Sequence, residues 1–117
     1  MPSFSDVARD YLDAYASKDI GRIQTFLAPD VVLRDWKIRV VGKAAALQET
    51  QLNFDNASSL HIEILHLHAT AQSVVAELRI VVNESVEIFV VDVFDFDAQG
   101  LVLALRSYIG RGDADPS

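Results

Sequence analysis

The chain has no cysteine, one tryptophan and one methionine in 117 residues. Without thiols there is no disulfide framework, thiolate nucleophile, iron–sulfur cluster or cysteine-ligated zinc. Positive charge is also scarce: 10 Lys and Arg face 17 Asp and Glu, a formal charge of −7. Phosphate neutralisation needs clustered cations, so nucleic acid is not an expected partner. No apolar run approaches the ~20 residues of a membrane span, so no membrane partner is expected either. The start, Met1-Pro2-Ser3-Phe4-Ser5-Asp6, has neither the basic nor the apolar region of a secretory signal, and a cytoplasmic protein is expected. Three prolines and five glycines are too few for a linker or a low-complexity tract.

What is there is ample for a core. Half the residues are hydrophobic and 23% are charged, the balance of a folded chain of single-domain length. One domain is expected over residues 1–110, followed by a flexible tail at 111–117. The Arg-Gly-Asp triplet in that tail is too short a match to carry meaning.

The first half has helical periodicity. Phe4, Val7, Ala8, Tyr11, Leu12 and Tyr15 make one stripe, capped by Ser3 or Ser5, which predicts a helix over about 4–17. Ile20, Ile23, Phe26 and Leu27 form a shorter stripe that Pro29 is expected to stop. Asp30 to Asp35 has the pattern of a short strand, and Gly42 opens a third helix reaching about Phe54. The second half changes period. Leu60–Thr70, Val74–Asn83, Val86–Phe96 and Leu101–Ile109 are β-rich runs joined by short polar turns, which makes neighbours antiparallel. Gly100 suits a turn position with positive φ. Helices followed by a strand meander define an α+β fold.

Both faces of Val86–Phe96 are apolar, whereas a sheet with one wet face should alternate cleanly. Helices cover only one face. A second copy of the chain is therefore expected on the other, with Glu77, Arg79, Glu87, Arg106 and Tyr108 as its polar component.

Asp92 interrupts the apolar series Ile88, Val90, Phe94, Phe96. A charged carboxylate there loses solvation unless it is paired. Either it is held neutral by a raised pKa or it is a structural Asp tied to an arginine or a backbone amide. Asp35 shares strand parity with Val31 and Leu33 and points inward, as a base at a pocket rim or as a turn residue. Arg34, Lys37, Arg39 and Lys43 surround it with positive charge, a candidate contact for an anionic ligand group. Leu101, Leu103, Leu105, Ser107 and Ile109 form one face of the last strand and, with Ile88, Val90, Phe94 and Phe96, would line an apolar pocket. His66 and His68 share a face and His61 takes the other, so no three-ligand metal site is expected.

Two helices, a short strand ending in Asp, a Gly-started helix and a four-strand meander resemble the NTF2-like cone, in its SnoaL-like and ketosteroid-isomerase-like branch. The carrying residues are Asp10-Tyr11-Leu12-Asp13-Ala14-Tyr15-Ala16-Ser17-Lys18-Asp19, Leu27 to Asp35, Val91 to Gly100 and Arg106-Ser107-Tyr108-Ile109-Gly110. The resemblance implies three N-terminal helices packed on a curved, mainly antiparallel sheet. It also implies a hydrophobic small-molecule ligand and, in the isomerases, cofactor-free acid–base chemistry next to a carbonyl. Carried over by position, Asp35 takes the role of the base, and Tyr11 and a neutral Asp92 become oxyanion donors; a carboxylic acid kept neutral in such an enzyme is an established pattern. Tyr15, Trp36, Val90, Phe94, Leu105 and Ser107 are the expected ligand contacts. The isomerase pattern is departed from at Trp36, where those enzymes have Pro, and at Glu49 and Thr50, where they have aromatic residues. An epoxide-hydrolase variant needs an Asp–Arg–Asp trio, but Arg79 and Arg106 fall on the outer face by parity. The alternative is a non-catalytic ligand-binding or association module, for which the same superfamily scaffold is also used.

Overall fold

Ser3 starts the first helix, α1 (Phe4–Ala16), with a reciprocal box: its Oγ accepts the Asp6 amide at 3.1 Å while the Asp6 carboxylate accepts the Ser3 amide at 3.4 Å. In the computed structural model, which describes residues 2–110, the expected stripe is the buried face of α1, with Ala8, Tyr11 and Leu12 in the core; Ala14, outside the stripe, is buried as well. The tail expected over 111–117 lies outside the described residues. Lys18, in the left-handed region at φ 57°, reverses the chain after α1, and its ammonium reaches the Ala57 carbonyl at the far end of a later helix. Asp19 then caps α2 (Ile20–Phe26) through the Arg22 amide.

Pro29 does not stop α2. The chain turns extended at Leu27, two residues earlier, because Leu27 pairs with Val102 and both side chains are buried. Pro29 lies inside β1 (Leu27–Arg34), where the ladder to the last strand shifts register between Leu27 and Val32. A missing N–H is harmless at such an irregularity. A three-residue strand, β2 (Arg39–Val41), was not expected; it lies in the segment read as a basic loop and pairs antiparallel with β1. Gly42, at φ 98°, turns the chain into α3 (Lys43–Asn56).

Among the described residues three helices pack on one six-stranded mixed sheet. The remaining strands are β3 (Leu60–Ala69), β4 (Ser73–Val82), β5 (Val86–Phe96) and β6 (Val102–Ile109), and the spatial order is β2-β1-β6-β5-β4-β3. Every neighbouring pair is antiparallel except β1 and β6, which run parallel. Gly100 takes positive φ (83°) in the β5–β6 turn, as its position required. Among the described residues no helix is long and apolar enough to cross a membrane.

Two bulges alter the expected faces. In β3 the register shifts between Ile64 and His66, leaving Leu65 unpaired and exposed. The extra residue inverts parity, so His61, opposite Val81, shares the outer face with His66, opposite Glu77, and His68, opposite Val75. In β6 the shift falls between Asp95 and Phe96, with Asp95 opposite Ala104 and Phe96 opposite Val102. Leu103 is thereby turned out to solvent, and Val102 takes the core position expected for Leu101 and Leu103.

The inner face divides along its length. Towards β6's start it is solid core: Phe94, Val74 and Val102 are fully buried, and Phe96 stacks on Phe4 with ring centroids 4.4 Å apart. Towards the other end Leu78, Ile80 and Ile88 wall a cavity. Among the described residues no helix lies on the outer face. It carries half-buried Val75, Phe89, Val91 and Val93 beside ion pairs of Arg79 with Glu87 (2.6 Å) and Arg106 with Asp95 (2.5 Å) and a hydrogen bond between His68 and Glu77 (2.7 Å).

Phe94 was an expected ligand contact and is instead the hub of the solid half of the core, edge-on to the Tyr11 ring with centroids 5.5 Å apart. Phe94→Ala should cost about 3–5 kcal/mol, the usual loss for a fully buried phenylalanine. Urea unfolding followed by far-UV circular dichroism checks this; a loss under about 1 kcal/mol would place Phe94 outside the core.

Candidate functional site

The cavity has a volume of about 360 Å³, within the range of small-molecule sites. It opens between α1, α3 and the free half of the inner sheet face. Asp92 lies at the junction, with core Phe94 on one side along β5 and cavity-lining Val90 on the other. Its residue exposure is 7%, and Ser107, directly opposite on β6, donates its Oγ proton to Oδ1 at 2.6 Å. No arginine is paired with it among the described residues. Burial is the main force on the group and pushes the carboxyl from an ordinary value of 3.8 up to about 6; the Ser107 hydrogen bond opposes this and the charge of Asp35 adds to it.

Tyr11 projects into the same cavity from α1. Its phenol is pushed well above its ordinary value, first by burial, then by Tyr15 and Asp92. The hydroxyl makes no hydrogen bond within the protein among the described residues, yet it is not sealed off, because no fully buried polar side-chain atom there lacks a partner. The Tyr11 oxygen therefore meets the cavity. Asp92 and Tyr11 share this space without bonding to each other; Ser107 is the carboxyl's partner. Tyr15, one turn along α1, accepts a hydrogen bond from Asn53 Nδ2 of α3 at 3.1 Å, and its phenol is also raised, mainly by burial.

Asp35 lines the cavity from the β1–β2 turn. It serves the turn as well: Oδ1 accepts the amides of Lys37 (2.7 Å) and Ile38 (2.9 Å). Those two bonds fix the carboxylate's orientation and leave Oδ2 without a partner among the described residues. Trp36, 45% exposed, lies beside it at the mouth. Of the four cations expected around Asp35, only Lys37 lines the cavity. Arg34 and Arg39 pair across β1 and β2, in register with outer-face Arg106, and so belong to the opposite side of the sheet.

The structure thus brings Asp35, Tyr11, Asp92, Tyr15, Trp36, Val90, Leu105 and Ser107 to one cavity and leaves Phe94 behind it. Sequence reasoning missed the wall from α3, Thr50 and Asn53, and the apolar residues Leu60, Ile62 and Leu78 from β3 and β4. The signal for that wall was weak, because α3 has little amphipathic pattern and buries only Ala46, Thr50 and Phe54. Arg79 and Arg106 are on the outer face, so neither completes an Asp–Arg–Asp trio in the cavity.

The raised Asp92 carboxyl makes stability depend on pH with a definite sign. Between about pH 4 and 6 the folded chain holds this proton more tightly than the unfolded one, so this group's contribution to stability falls as pH rises. Above pH 6 the ionised, buried group costs about 3 kcal/mol relative to acid conditions. Urea midpoints across this range should therefore show a downward component for the native chain that Asp92→Asn lacks. Parallel pH profiles for the two would mean that Asp92 titrates normally.

The SnoaL-like domain family matches residues 8–105, most of the chain. No curated protein matches. Among solved structures, a candidate ketosteroid isomerase from Kribbella flavida superposes with a TM-score of 0.82 at 18% identity, covering 97% of this chain and 82% of that one. A candidate polyketide cyclase from Sinorhizobium meliloti gives 0.79 at 20% identity, covering 92% and 94%. An LEH-like epoxide hydrolase from M. tuberculosis gives 0.79 at 18% identity, covering 92% and 82%. At these identities the superpositions establish a common fold, and chemistry must be argued from the site. With the family match over residues 8–105, they identify the chain as a member of the SnoaL-like domain family, within the NTF2-like superfamily.

Proposed function

We propose that the protein binds a small hydrophobic carbonyl compound and moves a proton at the carbon next to the carbonyl, without a cofactor. One observation carries this reading: a buried carboxyl, held only by a serine hydroxyl, faces an apolar cavity that a second carboxylate also lines. In this reading Asp35 is the base, its orientation set by two backbone amides. Protonated Asp92 and the Tyr11 hydroxyl donate hydrogen bonds to the carbonyl oxygen as it gains charge. Donors of this kind are each worth about 3 kcal/mol when they are fixed before reaction begins. An apolar ligand that expels water favours the neutral form of Asp92 still further. Tyr15, Trp36, Val90, Leu105 and Ser107 supply contacts along the ligand, and Lys37 at the mouth suits an anionic substituent. Isomerisation, cyclisation and dehydration all begin with this proton transfer.

Hydrogen–deuterium exchange tests the step without knowledge of the natural substrate. A panel of hydrophobic ketones, 2-tetralone among them, is incubated with the protein in D2O and followed by proton NMR. The native chain should accelerate exchange at the α-carbon, Asp35→Asn should lose about 10²-fold or more of that rate, and Asp92→Ala a comparable factor. A ketone that binds without exchanging would leave a ligand-binding module and remove the enzymatic reading.

The uncovered outer face supports a second element of the reading, association. We propose that a second copy of the chain covers Val75, Phe89, Val91, Val93 and Tyr108, the last 54% exposed in the single chain. Val91→Glu should convert a dimer into a monomer by sedimentation velocity without changing the far-UV spectrum; an unchanged sedimentation coefficient would clear this face of the role.

A further inference from the structure

Polar side chains in the cavity gather in two places. One is the cluster of Asp92, Ser107, Tyr11 and Asp35 described above. The other is on the helical wall, where Tyr15 of α1 meets Asn53 and Asn56 of α3. The wall supplied by β3 and β4 is entirely apolar: Leu60, Ile62, Leu78, Ile80 and Val82. A helix that only closed off an apolar cavity would present apolar side chains to it. α3 instead carries Thr50, Asn53 and Asn56 at intervals of three, and all three line the cavity.

Their hydrogen bonds set these residues apart. Thr50 donates to the Ala46 carbonyl at 2.8 Å, within its own helix. Asn53 donates from Nδ2 to the Tyr15 oxygen at 3.1 Å, a bond that joins α3 to α1. A phenol has one proton to give, and an amide has two N–H groups and a carbonyl. The Tyr15 proton and Asn53 Oδ1 therefore have no partner within the protein among the described residues. With Asn53 on one side of the Tyr15 oxygen, the O–H turns away from the amide. Linked hydrogen bonds polarise one another, so the bond received makes the remaining proton a better donor. The Asn53 bond accordingly holds the Tyr15 pKa down against the rise that burial causes. Phe54 holds the ring edge-on, with centroids 4.9 Å apart. Tyr15 lies one turn beyond Tyr11, about 6 Å along the helix axis, and the two ring centroids are 6.2 Å apart.

We infer that Tyr15, aimed by Asn53, donates a hydrogen bond to a second, unreactive oxygen of the ligand about 6 Å from the reacting carbonyl. The ligand is then an apolar carbonyl compound that carries a hydroxyl or a second carbonyl at that distance. This rests on the carbonyl reading of the site and narrows its substrate class. Asn53 is a positioning residue for Tyr15, and its Oδ1 can also accept from a ligand hydroxyl. A compound without the second oxygen would expel water and leave the Tyr15 proton facing hydrocarbon. A polar group left unpaired in this way discriminates strongly between ligands of similar shape.

Matched ketones test the subsite. 2-Tetralone is compared with 5-hydroxy-2-tetralone and 6-hydroxy-2-tetralone, which carry a hydroxyl on the far ring, and dissociation constants are measured by isothermal titration calorimetry. The native chain should bind one of the hydroxylated ketones at least tenfold more tightly than 2-tetralone. Tyr15→Phe should reduce that ratio to within about twofold. Asn53→Asp, nearly unchanged in size, should do the same, because a carboxylate accepts the Tyr15 proton and turns it from the ligand. A purely structural role would weaken all three ketones together and leave the ratio intact. A native preference below tenfold, or one that survives either substitution, overturns the inference. Exchange at the α-carbon of the same ketones separates it from the parent reading. Exchange without the preference removes the subsite alone, and the preference without exchange supports the subsite while removing the proton-transfer step.

Discussion

Loss of water around the Asp92 carboxyl is the constraint on which the site depends. The group lies on a strand whose inward neighbours are Val90 and Phe94, and a single hydroxyl, that of Ser107, compensates it. An arginine beside it would make a buried ion pair and end the matter, but the arginines of β4 and β6 point the other way. The carboxyl is therefore left with a proton affinity near neutrality, where a small change in local water decides its charge. Phe94, fully buried, closes the core on one side of it along β5, and the cavity that Tyr11 also lines gives access from the other. The packed half of the core supplies rigidity, the open half supplies room, and Asp92 stands at their boundary.

The two faces of the sheet divide the polar residues by role. Inside, polar groups are few and sparsely partnered: Asp92 with Ser107, Tyr15 with Asn53, and Asp35 with its own turn. Such groups can exchange their present surroundings for a ligand. Outside, charges are numerous and mostly paired in short ion pairs of partial exposure, each worth little alone. The exception is the Arg34–Arg39 pair, whose register runs against local stability.

β-Bulges explain most of the differences between the strand pattern and the finished sheet. Alternation is an exact period of two, so one inserted residue reverses every assignment beyond it. Leu65 does this in β3 and moves His61 to the outer face; Leu103 does it in β6 and exchanges Leu101 and Leu103 for Val102. β4 and β5 pair without interruption, and there the expected faces, including the position of Asp92, agree with the structure. Pro29 follows the same logic, since it occupies a strand at the one place where the ladder is already broken.

The α1 stripe, the meander of four long strands, the Gly42 and Gly100 turns and the anomaly of Asp92 were all legible in the sequence by itself. Each depends on periodicity or on a single residue's intrinsic chemistry, which act over a few neighbours. The α+β class and the family resemblance come from the order of those same segments. Tertiary structure alone decided that Leu27 leaves its helix for a strand, that Phe94 faces core and not ligand, and that Ser107 partners Asp92. It also decided that Arg34, Arg39 and Arg106 form one row and that Lys37 is the cation left at the cavity. Those outcomes depend on which strand lies beside which and where the ladder slips, and register is set by packing between segments far apart in the chain.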